Sequence, residues 1–131
     1  MLRLAALMIL LSACQAPENE RSATTEVLLA GGGFKIRMAD TPERQDNLEA
    51  LTQRQIVRHN RDGEAIYVYA DATSCGCLYA GTAADYERYR ALAESSRTKG
   101  VQRLDAVPAG PDAAFNWPLW NSAARSSATR Q

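Results

Sequence analysis

Two cysteines separated by one glycine, Cys75-Gly76-Cys77, lie inside the stretch YVYADATSCGCLYAG at residues 67–81, and theirs are the types and spacing best suited to chemistry. Such a pair has three uses. Paired thiols exchange with disulfides, thiolates bind soft metals, and a cysteine also serves as a small apolar core residue. In an extended strand, residues two apart have Cα atoms roughly 6.6 to 7.2 Å apart, at or beyond the usual disulfide limit of about 6.8 Å. The pair can therefore close on itself only where Gly76 bends the chain, which glycine permits. So small a ring would be easily reduced, the behaviour of an exchanging bond rather than of a permanent staple. By this reasoning structural or intermolecular use of the cysteines ranks first, thiol exchange second and metal third.

A metal needs more than two thiolates. Met38 and the single histidine, His59, are the softer donors that could complete a set, and two thiolates alone suit Cu(I) better than zinc. His59 lies beside an expected hairpin turn, whereas Cys77 enters the sheet at the far end of the neighbouring strand. Four residues at about 3.3 Å each put roughly 13 Å between them. His59 reads as an exposed strand residue, and no serine or cysteine nucleophile has a recognisable partner pattern. No catalytic residue and no enzyme activity is therefore expected.

The elements that must carry the pair are legible around it. Ile56-Val57-Arg58-His59 and Ala65-Ile66-Tyr67-Val68-Tyr69 are β-branched and aromatic, with Asn60-Arg61-Asp62-Gly63 as turn chemistry between them. In the second of these strands Ile66 and Val68 face one side, Tyr67 and Tyr69 the other. A third strand, Cys77 to Ala80, must run antiparallel to the second, because the loop between them is too short for a parallel crossover. Two helices flank this unit. Thr41 and Pro42 open the first, and Thr82 with Asp85 opens the second, whose Tyr86, Tyr89 and Ala93 form a buried stripe. Tyr67, Tyr69 and Tyr79 are candidates for an interaction surface, although tyrosines on small sheets more often cover the core. The same candidacy extends to Trp117 and Trp120 in FNWPLW, which could dock on the sheet, touch a membrane interface or bind a partner.

The chain opens with MLRLAALMILLSACQAPE: a basic residue, an apolar run from Leu4 to Leu11, then small residues before Cys14. This has the three-part layout of an export signal. The run is too short for a transmembrane helix, which takes about 20 apolar residues. Leu11-Ser12-Ala13-Cys14 resembles the lipobox of bacterial lipoproteins. That resemblance implies cleavage before Cys14, diacylglycerol on its sulfur, and an acyl chain such as palmitate on the new amino terminus. It also implies a periplasm-facing, membrane-anchored protein of the bacterial cell envelope, and Gln15 favours the outer over the inner membrane. The covalent lipid would be the only cofactor, with Cu(I) added only if the cysteines bind metal. Cys75 and Cys77 would then be an even pair in an oxidising compartment.

YVYADATSCGCLYAGTAADYERY also resembles a family of small uncharacterised bacterial envelope proteins and lipoproteins. Its members share Tyr-Ala-Asp, Cys-x-Cys-Leu-Tyr-x-Gly and a Tyr-rich helix, the match covering residues 56–92. The family implies a location and a fold unit, and no activity.

With 15 basic and 15 acidic residues and no long run of either sign, the chain has no footprint for nucleic acid. The expected architecture is α+β, a single small domain of helix, antiparallel three-stranded sheet and C-terminal helix. Residues 1–13 are the signal peptide, 14–33 a flexible lipid-anchored tether, 34–100 the domain, and 101–131 a Pro- and Trp-containing tail. The functional expectation is a structural or protein-interaction module with an envelope protein as partner. The alternative is a periplasmic thiol-redox or Cu(I)-binding protein.

Overall fold

The computed structural model describes residues 18–121, an α+β domain in which helices cover both faces of one sheet. Cys14 and residues 1–13, where a signal peptide is expected, lie outside the described residues, as does the end of the expected tail beyond residue 121. No helix among the described residues is long and apolar enough to cross a membrane.

The expected hairpin forms from β2 (Ile56–Arg61) and β3 (Glu64–Asp71), closed by a tight turn with Asp62 at φ 53° and Gly63 at φ 84°. Both positive φ values are those of the two-residue turn whose twist matches its strands. β4 (Cys77–Thr82) runs antiparallel to β3. The sheet has five strands rather than three. β1 (Lys35–Met38) pairs antiparallel with β4, and the two-residue β5 (Val107–Pro108) pairs parallel with β2, giving the order β1-β4-β3-β2-β5. Both additional strands are short and sit at the edges, where a period of two has little length in which to show.

Two apolar layers result. On one face Ile56, Tyr67, Tyr69, Cys77 and Tyr79 pack with Leu29, Phe34, Tyr86, Tyr89 and Ala93. On the other, Val68, Ala70 and Leu78 pack with Leu48, Leu51, Phe115 and Trp120. The first layer is covered by α1 (Glu18–Gly32) and α3 (Ala83–Ser95), the second by α2 (Pro42–Ala50) and α4 (Trp117–Asn121). Both expected helix starts hold. The Thr41 hydroxyl accepts from the Arg44 N–H with Pro42 at the first turn, and Thr82 and Asp85 form a reciprocal capping box.

The tether expected over 14–33 is corrected: residues 18–32 are a helix lying along α3. Its buried positions are Ser22, Thr25, Leu29 and Gly32, spaced three, four and three apart, so the inward stripe is small and polar rather than apolar. Gly32 packs so closely on α3 that a Cβ there would lie 2.9 Å from the Tyr89 backbone nitrogen. Low hydropathy in this segment marks close helix contact, not the absence of packing.

The tail expected over 101–131 is likewise corrected as far as residue 121. The N–H groups of Leu104 and Ala106 donate to the phenol oxygens of Tyr89 and Tyr86, each at 2.8 Å. The Asp112 carboxylate accepts from Thr52, and the Trp120 indole N–H donates to Asn47 Oδ1 at 2.7 Å. Polar hooks hold the segment, so neither propensity nor period announces it.

Candidate functional site

Asp71 ends β3, Cys77 begins β4, and the two are direct cross-strand partners. On the other side of β4, Cys77 is paired with Met38 of β1. Cross-strand partners project to the same face, so one row across three strands carries a carboxylate, a sulfur and a thioether. The next row is Tyr69, Tyr79 and Ile36.

The loop between Asp71 and Cys77 is fixed from both ends. Asp71 Oδ1 accepts from the N–H groups of Thr73 and Ser74, at 3.1 and 2.8 Å, the local turn to which aspartate is suited. Gln53 Oε1 accepts from Ala72 N–H at 2.8 Å, while the Gln53 amide donates to the Leu48 and Leu51 carbonyls. The Ala39 N–H donates to the Gly76 carbonyl at 3.0 Å.

Within this frame Cys75 and Cys77 are joined in a disulfide with Cα atoms 5.1 Å apart. Gly76 supplies the bend at φ 60°, in the left-handed region that costs an L side chain roughly 1–2 kcal/mol. The two sulfurs differ in access. Cys77 is 0% exposed, whereas Cys75 is half-buried and packs at the margin of the core. Cys75 Sγ lies 3.5 Å from the Asp71 carbonyl oxygen, an acceptor for its thiol once the bond is open.

Glu26 reaches the same place from α1. One of its carboxylate oxygens and the two sulfurs all lie within 4.8 Å of one another. Burial raises the Glu26 pKa, the charge of Asp71 raises it further, and so does a side-chain hydrogen bond to Asp71. Glu26 Oε1 and Asp71 Oδ2 are both buried without a donor from elsewhere among the described residues. Two carboxyls can satisfy each other only by sharing a proton. Asp71, fully buried, also accepts from two N–H groups and has the Arg54 guanidinium 3.8 Å from Oδ1. Arg54 itself holds φ 57°, and its N–H donates to Ala70 O.

The surroundings are dry and electronegative. The Tyr69 phenol is pushed up to about 12, first by burial and then by the charges of Asp71 and Glu26, against a hydrogen bond with Ser22. Tyr79 is raised too, by burial and by Glu26. The arrangement joins a reducible bond to a carboxyl pair able to hold a cation or a proton.

Other residues singled out by the sequence fall elsewhere. His59 is buried, 4% exposed, rather than exposed, with its ring centroid 5.0 Å from Phe115 and 5.7 Å from Trp117. It pairs with Ile66, five residues from Asp71 along β3, which is roughly 16 Å from the cysteine row and on the opposite face. It is no ligand for the pair. Met38 is brought beside Cys77 and is 49% exposed. Tyr67, Tyr69 and Tyr79 lie inside the core under α1 and α3, where Tyr67 stacks on Tyr86 at 4.3 Å. Trp120 is 2% exposed under Arg44, and Trp117 is half-buried with the Arg61 guanidinium 5.2 Å from its ring centroid.

Glu26, Asp71 and Arg54 were not among the residues the sequence singled out. Asp71 stands in the Tyr-Ala-Asp run, just past the strand expected over Ala65 to Tyr69, and Glu26 in the segment expected to be a tether. Comparison with protein-family models, curated proteins and solved structures finds no match for the chain.

Proposed function

We propose that this protein is a lipid-anchored thiol–disulfide exchange module of the bacterial cell envelope, with Cys75 as the sulfur that is attacked and Cys77 as the one released. The observation that carries this reading is the disulfide itself, closed across one glycine between one half-buried and one fully buried cysteine. Access decides which sulfur an incoming thiolate meets.

The electron balance is that of dithiol exchange. A thiolate of an external dithiol attacks Cys75 Sγ, the Cys75–Cys77 bond breaks, and Cys77 leaves as a thiolate. The second thiol of the partner then displaces Cys75. Two electrons pass to the protein, the partner ends as a disulfide, and its two thiol protons end on Cys75 and Cys77.

The magnitude of the crosslink fits exchange better than stapling. A ring closed over about three residues removes only about 1.6 kcal/mol of unfolded-chain entropy by the loop-closure relation. Two helical layers around a five-stranded sheet do not depend on such a contribution. Half-exposed Ile36 and Met38, on the edge strand beside the site, give an extended cysteine-bearing segment of an envelope protein an apolar place to lie. The lipobox resemblance supports the anchor, and an oxidising compartment supports the closed state.

The test is trapping. Cys77→Ala leaves Cys75 accessible, and oxidised glutathione should label it stoichiometrically. Cys75→Ala leaves only the buried sulfur, and labelling should be at least tenfold slower. Equal rates, or no labelling of either variant while folded, refute the assignment.

A further inference from the structure

We propose that the reduced form of the site binds Zn²⁺ through Cys75, Cys77 and Glu26, so that the oxidation state of the pair decides whether the metal is held. The inference rests on the dithiol form proposed above and adds to it a ligand, a third donor and a reason for the carboxyl pair.

Three donors from two elements already converge. In a tetrahedral zinc site with sulfur at about 2.3 Å and carboxylate oxygen at about 2.0–2.2 Å, neighbouring donors lie roughly 3.5–3.8 Å apart. The Cys75, Cys77 and Glu26 donor atoms fall within 4.8 Å of one another, so rotation of the Glu26 side chain and relaxation of the opened sulfurs span the difference. Two thiolates without a third protein ligand make a poor zinc site, and the third comes from α1.

The buried acceptors point the same way. Glu26 Oε1 and Asp71 Oδ2 lack an outside donor, and Asp71 is 0% exposed, so these two buried oxygens have only the proton between them to meet them. Opening the disulfide adds two thiols, which become thiolate donors as a metal displaces their protons. Asp71 then stands behind Glu26 as the group that orients the ligand carboxylate, itself fixed by the Thr73 and Ser74 N–H groups. Cys75, half-buried, leaves a side open to solvent for a water in the fourth position.

The donor set also selects the metal. Cu(I) prefers sulfur with sulfur, whereas a mixed thiolate and carboxylate set suits the borderline Zn²⁺. With the disulfide closed, neither sulfur is a thiolate and no such set exists. Opening it takes two electrons and two protons from an external dithiol, and metal binding then returns both thiol protons to solvent.

The experiment uses the full chain, reduced anaerobically and shown by mass to have gained two hydrogens, titrated with Zn²⁺ against a chromophoric chelator. One equivalent should bind to the dithiol form and none to the disulfide form, with Glu26→Gln weakening uptake at least tenfold at unchanged circular dichroism and thiol count. A verified dithiol form that takes up no Zn²⁺, uptake indifferent to Glu26→Gln, or tighter Cu(I) binding that depends on Met38 instead would overturn the proposal. A failure to gain two hydrogens overturns it together with the exchange reading, whereas glutathione exchange without zinc uptake leaves the exchange reading standing.

Discussion

Gly76 is the residue on which the closed pair depends. At φ 60° it draws the Cα atoms of Cys75 and Cys77 to 5.1 Å, inside the range a disulfide spans. A Cβ at this position meets nothing within 4 Å, so substitution costs conformation and not space. Gly76→Ala should therefore lower overall stability by only about 1–2 kcal/mol. The same change should shift the dithiol–disulfide equilibrium toward the dithiol, read by thiol counting in a fixed glutathione buffer. His59 makes a separate prediction, remote from the cysteines. Burial lowers its pKa from the ordinary 6.5, against the charge of Asp112, so the folded protein takes up that proton less readily than the unfolded chain. Between the folded value and 6.5 the unfolded state binds more protons, and stability falls as pH drops through that window. Urea denaturation across pH 7 to 5 should show the slope in the wild type and its loss in His59→Gln.

At the scale of elements, α1 brings Glu26 to the site, and the segment after α3 completes the packing around the sheet. Gly32→Val drives a side chain into the Tyr89 backbone and should cost about 1–3 kcal/mol through overpacking, seen as a lower thermal midpoint. The change should also disturb Glu26, because α1 moves as a unit. Trp120→Ala should cost about 3–5 kcal/mol by opening the layer between α2 and the sheet. Tyr89→Phe strands the Leu104 N–H and should cost about 1–3 kcal/mol. These two elements are also where the sequence is hardest to read. The hairpin, β4 and the α2 and α3 starts follow from alternation, turn residues and capping pairs, all of them local signals. α1 buries serine, threonine and glycine, and the segment after α3 is held by side-chain hydrogen bonds over long sequence separations. Neither leaves a hydrophobic period. The site is legible to the same extent: the cysteines stand out by type and spacing, Gly76 permits the bend without requiring it, and Glu26 arrives through a helix that hydropathy conceals.

For the whole molecule, the domain places its reducible bond where the edge strand β1, the end of β3 and the middle of α1 meet. Cys77 belongs to the first apolar layer and Cys75 packs at its margin, but the bond joins residues two apart and ties neither layer to the other. Reduction should therefore leave the fold intact, with far-ultraviolet circular dichroism unchanged by excess dithiol. The proposed anchor is tested independently, since Cys14→Ala or globomycin should abolish lipid labelling and membrane partition. Unchanged partition would refute the anchor and leave the site untouched. Exchange itself is tested most directly by equilibrating the protein in glutathione buffers of graded potential and counting Cys75 and Cys77 thiols by mass spectrometry. The account predicts a reversible two-electron transition at a potential above about −300 mV, within reach of biological dithiols. A bond that stays closed below about −300 mV, or two thiols that stay free in the most oxidising buffer, would contradict it.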